Sequence, residues 1–213
     1  MVESLLREAM DEAQIPRGRD LTPPGGAPEG RRPLILFVDS DFELSAQEAL
    51  LSEADAIVIR LSDPSAVQEA CAAVCRRARR GQTIVLTSAG YVGATRDLLV
   101  RPLEEAGFKL GVDICVAFSP ERIGLADALS IEARPRVLGS GGCLCTEKAR
   151  AVLEALTESV HVVSSLEAAE IAKLYGDLFR TVNVALAEEL AEAAGALGLA
   201  PAEIVEAVAL ASD

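Results

Sequence analysis

Short, uninterrupted apolar runs recur along this chain, the first three each followed by a helical pattern, and that alternation limits the fold more than any other feature. Leu34-Ile35-Leu36-Phe37-Val38, Ala56-Ile57-Val58-Ile59, Thr83-Ile84-Val85-Leu86 and Ile114-Cys115-Val116-Ala117-Phe118 carry no charge. A strand that is apolar at nearly every position is buried on both faces, as the strands of parallel sheets are. Between these runs the apolar spacing predicts helices over 45–51, 65–80 and 95–105. Ser45 is the expected cap of the first. The second carries Val67, Ala70, Cys71 and Val74 on one face. It has a basic end (Arg76, Arg77, Arg79, Arg80) suited to the negative end of a helix dipole. Gly81 stops it. Two shorter strands are expected at Arg136-Val137-Leu138 and His161-Val162-Val163, with a helix over 146–156 between them. Strands alternating with helices through short connections predict a mostly parallel α/β sheet covered by helices.

The flanks differ in kind. Residues 2–13 have helical apolar spacing (Val2, Leu5, Leu6, Ala9, Met10, Ala13). Arg17 to Pro33 is rich in Gly and Pro and nearly free of large apolar residues, the composition of a flexible linker. Ser164-Ser165 opens a long helical pattern in which Ile171, Leu174, Leu178, Val182, Leu186 and Leu190 recur at steps of three and four. It runs to Leu197, Gly198 breaks it, and Pro201 is placed to start a last helix. The expected organisation is therefore a helix over 1–15, a linker over 16–33, a sheet domain over 34–164 and a helical region over 165–213.

Charge and composition exclude several function classes. The 213 residues carry 33 acidic and 20 basic side chains, a net charge of −13. Such a chain repels phosphate backbones and anionic membrane surfaces, so no nucleic-acid or membrane partner is expected. Aromatics are 3% with no Trp, which leaves little for stacking on bases or sugars. The acidic start lacks the features of a secretory signal, and the five Cys are an odd number, so a cytoplasmic protein with reduced thiols is expected.

A dinucleotide site needs a Gly-x-Gly-x-x-Gly turn after the first strand, so that backbone N–H groups and a helix N-terminus meet the pyrophosphate. Here Val38 is followed by Asp39-Ser40-Asp41-Phe42-Glu43, whose three carboxylates repel a pyrophosphate. Gly139-Ser140-Gly141-Gly142 follows a strand and precedes a helix, but its spacing suits a tight turn. Cys71, Cys75, Cys143 and Cys145 match zinc spacings poorly, and the first two fall on an apolar helix face, so small core residues are expected and no metal site. His161, the only histidine, begins an apolar strand and is not expected to be catalytic.

Two segments remain. Ser119-Pro120-Glu121-Arg122 follows the fourth strand, where ligands gather in an open parallel sheet. Lys173, Asp177 and Arg180 share one stripe of the long helix. From chemistry alone, Glu121 reads as a solvated turn residue and Lys173 as the partner of Asp177 in an i,i+4 ion pair.

In this order and context, these segments resemble the UDP-glucose/GDP-mannose dehydrogenase family. The similarity runs from Leu34 to Ser212. It includes 53–59, 82–86, Gly93-Ala94-Thr95, 118–122, 145–149 and Val163-Ser164-Ser165. It is densest at Ala169-Glu170-Ile171-Ala172-Lys173-Leu174, 179–186 and Glu189-Leu190. The resemblance implies a Rossmann domain for NAD, a long central helix that forms the dimer, and oxidation of a sugar C6 alcohol to a carboxylate. It also implies that Glu121 takes the place of a glutamate acting in thioester hydrolysis, and Lys173 that of a lysine supporting an oxyanion.

The departures change the expected function. The family's glycine turn has no counterpart. The threonine of its Glu-Ser-Thr segment is Ala89 within Thr87-Ser88-Ala89, the following Pro is Val92, and the asparagine four residues after the lysine is Asp177. None of the five cysteines matches the family's nucleophile, whose domain is expected to be missing from this chain. The expected fold is thus an incomplete Rossmann-like, mostly parallel sheet, then a long central dimerisation helix and a short C-terminal helix. The expected protein is a truncated, degenerate pseudoenzyme. It retains Glu121 and Lys173 as vestigial catalytic residues and has no cofactor-binding residue of its own beyond the NAD that the resemblance implies. As a homodimer through Ser165–Leu197, or with a full-length dehydrogenase, it would be a dimerising or regulatory module. The alternative, favoured by Glu121, Lys173 and Asn183, is an NAD-dependent UDP-sugar 6-dehydrogenase fragment, active only when another chain supplies the missing parts. A UDP-sugar-binding module without chemistry is disfavoured by the acidic charge and the lack of aromatics.

Overall fold

A computed structural model describes residues 33–121, 135–157 and 159–204. The N-terminal helix and most of the linker expected from the sequence lie outside these residues, as does the end of the last helix.

The strands are β1 (Ile35–Val38), β2 (Ala56–Ile59), β3 (Thr83–Leu86), β4 (Cys115–Phe118), β5 (Arg136–Ser140) and β6 (Val160–Val162). Among the described residues they form one six-stranded sheet whose spatial order is the chain order. β1 to β4 pair in parallel, β5 runs antiparallel to β4, and β6 is parallel to β5. The expectation of a mostly parallel sheet holds, with the direction of β5 as the addition. The parallel core is apolar on both faces for a reason visible in its contacts. Alternate residues point to opposite sides, and each side meets its own cluster. Ile57, Ile59, Ile84, Leu86, Val116 and Phe118 join one. Ala56, Val58, Val85 and Ala117 join the other.

The helices are α1 (Leu44–Glu53), α2 (Pro64–Arg77), a wide π turn (Arg96–Val100) running into α3 (Arg101–Glu105), α4 (Cys143–Glu154) and α5 (Leu166–Ala196). Leu51 of α1, Val67, Ala70, Cys71 and Val74 of α2, and Leu99 and Leu103 pack on the first face. Ala149, Val152 and Leu153 of α4 pack on the second. Pro102 brings no N–H to the ladder, which accounts for the loosened π turn before it. Helical residues resume at 201–204.

Several boundaries differ from the sequence expectation. α1 begins at Leu44 with Glu43 in the N-cap position, so Ser45 is not the cap. α2 begins at Pro64, capped by Asp63, which accepts from the Ala66 N–H at 2.8 Å. It ends at Arg77, four residues before Gly81, so only Arg76 and Arg77 lie in its last turn. Arg79 turns inward instead and donates to the carbonyls of Ser52, Glu53 and Ala54 and to Asp55. With the buried Gln82 side chain, which donates to the Leu51 and Ala54 carbonyls, it satisfies the carbonyls at the C-terminal end of α1. α4 starts three residues earlier than expected, after Gly142 at φ +150°.

The chain divides into two compact units, residues 1–171 and 172–213. The first turn of α5 belongs to the first. There Glu170, fully buried, accepts from the backbone N–H groups of Gly93 at 2.5 Å and Thr95 at 2.8 Å. Arg96 and Glu167 form an ion pair at 2.7 Å beside it. Gly139 is required where β5 passes this turn, because a Cβ there would collide with the Ser165 carbonyl and the Ala169 side chain.

Candidate functional site

The carboxyl ends of parallel strands are where such folds assemble sites, and three charged residues meet there. Arg60 directly follows β2, Glu121 lies three residues beyond β4, and Arg136 opens the returning strand β5. Arg60 grips Glu121 with two contacts, Nε to one carboxylate oxygen at 3.1 Å and Nη2 to the other at 2.8 Å. β2 and β4 flank β3, so this pair spans a gap of about 10 Å across the carboxyl end of β3. The Arg60 guanidinium also lies 5.6 Å from the ring centroid of Phe37. Burial holds the Arg136 guanidinium below its usual pKa, with Glu121 acting in the opposite sense and Arg60 adding to the depression. Its Nη2 is buried without a hydrogen-bond partner among the described residues.

Glu121 is therefore where the sequence places it, at the carboxyl edge of the sheet. Each of its carboxylate oxygens contacts Arg60, and its side chain is 28% exposed. Ala89, just past β3, is buried and offers no hydroxyl. Arg60 is the residue that sequence reasoning missed. Its position, the first residue after a fully buried strand, was the available signal.

In the second unit, Lys173 and Asp177 form an ion pair at 2.8 Å on α5, as their spacing predicts. Asp177 thus takes up the ammonium that the resemblance assigns to an oxyanion.

The residues at the β1 edge do not fit the NAD that the resemblance implies. A cleft of about 590 Å³ opens beside Arg60, lined among others by Asp39, Phe42, Asp63 and Glu69. Its three carboxylates face one guanidinium that is already paired with Glu121. Asp63 caps α2, so the helix end that could meet a phosphate already has an anion on it. Asp41 folds its N–H back onto Asp39 at 3.2 Å. Strand order also never reverses among the described residues, whereas dinucleotides bind at a reversal point.

The Gly139–Gly142 segment serves packing: Gly139 meets α5, and a Cβ on Gly141 would strike Leu110. Ser140 and Thr146 close the turn with a hydroxyl pair at 2.6 Å. Cys71 and Cys145 are buried as expected of small core residues, but Cys75 is half-buried and Cys143 is exposed at the start of α4. No group of three or more metal-ligating side chains occurs among the described residues. His161 is exposed on β6. No described helix is long and apolar enough to cross a membrane.

No protein-family model matches the chain. It is 30% identical over 158 residues to the UDP-N-acetyl-D-mannosamine dehydrogenase of Salmonella typhi, a match covering 65% of this chain and 37% of that protein. Protein CapL of Staphylococcus aureus is 36% identical over 111 residues, covering 51% of this chain and 26% of CapL. Among solved structures, a UDP-glucose dehydrogenase from Pyrobaculum islandicum superposes with a TM-score of 0.62 at 26% identity, over 76% of this chain and 40% of that one. The UDP-D-ManNAc dehydrogenase from Pyrococcus horikoshii gives a TM-score of 0.67 at 24% identity, over 75% and 40%. The chain thus spans well under half the length of the curated relatives it matches.

Proposed function

We propose a function on the premise that this chain belongs to the UDP-glucose/GDP-mannose dehydrogenase family: it is a degenerate member that assembles or regulates, and does not itself oxidise a nucleotide sugar. The observation that carries this reading is the two-contact grip of Arg60 on Glu121. A carboxylate that is to activate water must turn a lone pair to it, and here the Arg60 grip fixes the orientation of both oxygens and leaves each only its second lone pair. Lys173, paired with Asp177, is neutralised in the same way. Ala89 removes a hydroxyl, and the acidic β1 edge disfavours a pyrophosphate.

Assembly rests on α5. Along it Tyr175, Leu178, Phe179, Val182, Leu186 and Leu190 are all more than half exposed, Phe179 at 72%. An apolar stripe of this length is an interaction surface, and a second copy of the same helix is the occupant the reading commits to.

The test is to measure the thermal midpoint of the protein with NAD, with UDP-N-acetylmannosamine and with UDP-glucose, following NADH in the same samples. A ligand at a hundred times its dissociation constant adds about 2.7 kcal/mol of stability, a visible shift. The expected result is no shift with NAD and no NADH. NADH that forms with the wild type and stops in Glu121→Gln would overturn the proposal. NADH that forms only after a second, cysteine-bearing dehydrogenase chain is added would favour a complemented enzyme instead.

A further inference from the structure

A buried polar side-chain atom without a hydrogen-bond partner is uncommon in a folded chain and asks for an explanation. Four occur among the described residues, and two of them are Ser119 Oγ and Arg136 Nη2. Ser119 is fully buried. The register of the sheet brings both atoms to the same end of the same face as Arg60 and Glu121.

The Arg60 N–H donates to the Val38 carbonyl at 2.7 Å and the Ser119 N–H to the Leu86 carbonyl at 3.0 Å, so the parallel ladder continues one residue past β2 and β4. Side chains two residues apart on a strand share a face. Val58 and Ala117 belong to the second cluster, so Arg60 and Ser119 are on its side of the sheet. β5 runs antiparallel to β4 with Phe118 opposite Gly139. Counting on from there puts Ser119 opposite Leu138 and Glu121 across from Arg136. Leu138 is in the second cluster as well, and Arg136 shares its face of β5. Glu121 and Arg60 both act on the charge of Arg136. Two guanidiniums, a carboxylate and a hydroxyl therefore line one end of this face.

Their balance is uneven. Arg60 holds Glu121 through contacts at 3.1 and 2.8 Å, which leaves the Arg136 donor and the Ser119 hydroxyl unused. The group carries one net positive charge in a chain of net charge −13. A dianion would be repelled by Glu121 and, beside Arg60, by Asp39, Asp63 and Glu69 of the cleft. A single carboxylate matches better: it carries one charge, only accepts hydrogen bonds, and suits guanidinium donors. Arg60 and Glu121 are each 28% exposed, so this end of the face opens to solvent. Nothing in the proposed assembly function uses these donors.

We propose that the carboxyl end of the second sheet face is a binding site for a small monocarboxylate, which accepts hydrogen bonds from Arg136 Nη2 and the Ser119 hydroxyl while Glu121 stays on Arg60. The test is to label the arginines of the full chain with nitrogen-15 and titrate it with sodium acetate at neutral pH, against sodium chloride at equal ionic strength. The Arg136 side-chain signal is identified by its loss in Arg136→Gln, or in Arg136→Lys if the first variant does not fold. With acetate it is expected to move along a saturating curve, and with chloride to stay in place. Ser119→Ala should weaken acetate binding by about threefold, the effect of one neutral hydrogen bond. In the Arg136 variant the Arg60 signal should need at least about tenfold more acetate to move, the effect of a charged one. An Arg136 signal that ignores acetate, or moves equally with chloride, overturns the proposal. A signal that saturates at lower sulfate than acetate overturns the carboxylate as its ligand. Acetate is neither a nucleotide nor a sugar, so this titration and the NADH measurement above fail independently of each other.

Discussion

One helix, α5, passes through two environments. Its first turn is inside the first unit: Leu166, Ala169 and Glu170 are at most 1% exposed. From residue 172 it belongs to the second unit, and Tyr175 and Phe179 are 70% and 72% exposed. Both stretches follow the same spacing of three and four. What differs is their exposure among the described residues. The first turn is satisfied within one copy, down to the two N–H groups that Glu170 accepts. The remainder carries an exposed apolar stripe among the described residues, which is why assembly belongs in the proposed reading.

The largest expected effect lies in the satisfied turn. Glu170→Ala leaves the N–H groups of Gly93 and Thr95 without an acceptor. Unpaired buried donors cost about 1–3 kcal/mol each, so stability should fall by roughly 3 kcal/mol in a urea titration. Glu170→Gln, which keeps one acceptor oxygen, should lose about half as much. Equal stability of Glu170→Ala and wild type would show that this turn is not held from within.

The opposite behaviour is expected in the remainder. Phe179→Asp should leave urea unfolding of a dilute sample within about 0.5 kcal/mol of wild type, as at an ordinary surface site. It should weaken self-association by about 2 kcal/mol, or roughly thirtyfold in dissociation constant, as a buried aromatic anchor does. Sedimentation across a concentration series reads this directly. Wild type that stays monomeric at all concentrations removes the second copy as the occupant.

The same contrast governs what the sequence makes legible. Runs such as Ala56–Ile59 declare a doubly buried strand without reference to anything distant, and Lys173 and Asp177 sit four apart on one helix, so local spacing predicts their pairing. The direction of β5 is not legible, because three apolar residues read alike in either orientation. Nor is the Arg60–Glu121 pair, whose partners lie 61 residues apart and meet only because β2 and β4 flank β3. Helix ends fail for a similar reason. Arg79 looks like a dipole-matched terminal residue, yet it folds inward because the Ser52 and Glu53 carbonyls of α1 and that of Ala54 after it lie within its reach. The acidic turn after Val38 could be read because its argument rests on charge alone.

A smaller effect separates the two ion pairs. Arg60 and Glu121 are each 28% exposed and joined by two contacts. A double-mutant cycle with Arg60→Ala and Glu121→Gln should give a coupling of about 1 kcal/mol, the upper end for partly exposed pairs. Lys173 and Asp177 are 22% and 52% exposed on a single helix face. Their coupling should be about 0.3–0.5 kcal/mol and should shrink further in high salt. Equal couplings would mean that the body of the protein confers no advantage on the pair at the candidate site.

The smallest effect returns to the first turn of α5. Glu167 accepts from its own backbone N–H and, after that, pairs with Arg96 and Ser165, and these together hold its carboxyl below the ordinary range. A carboxylate whose folded pKa is depressed adds stability above its unfolded pKa, near 4.3. That contribution fades as pH falls through the lower folded value, because the unfolded chain then binds the proton more readily. Urea unfolding from about pH 6 to about pH 3 should therefore show wild type losing slightly more stability than Glu167→Gln, which cannot titrate. The difference should be confined to the acidic end and absent above about pH 5, where the carboxyl is ionised in both states. Parallel curves for the two proteins would leave Glu170 as the carboxylate that secures the turn.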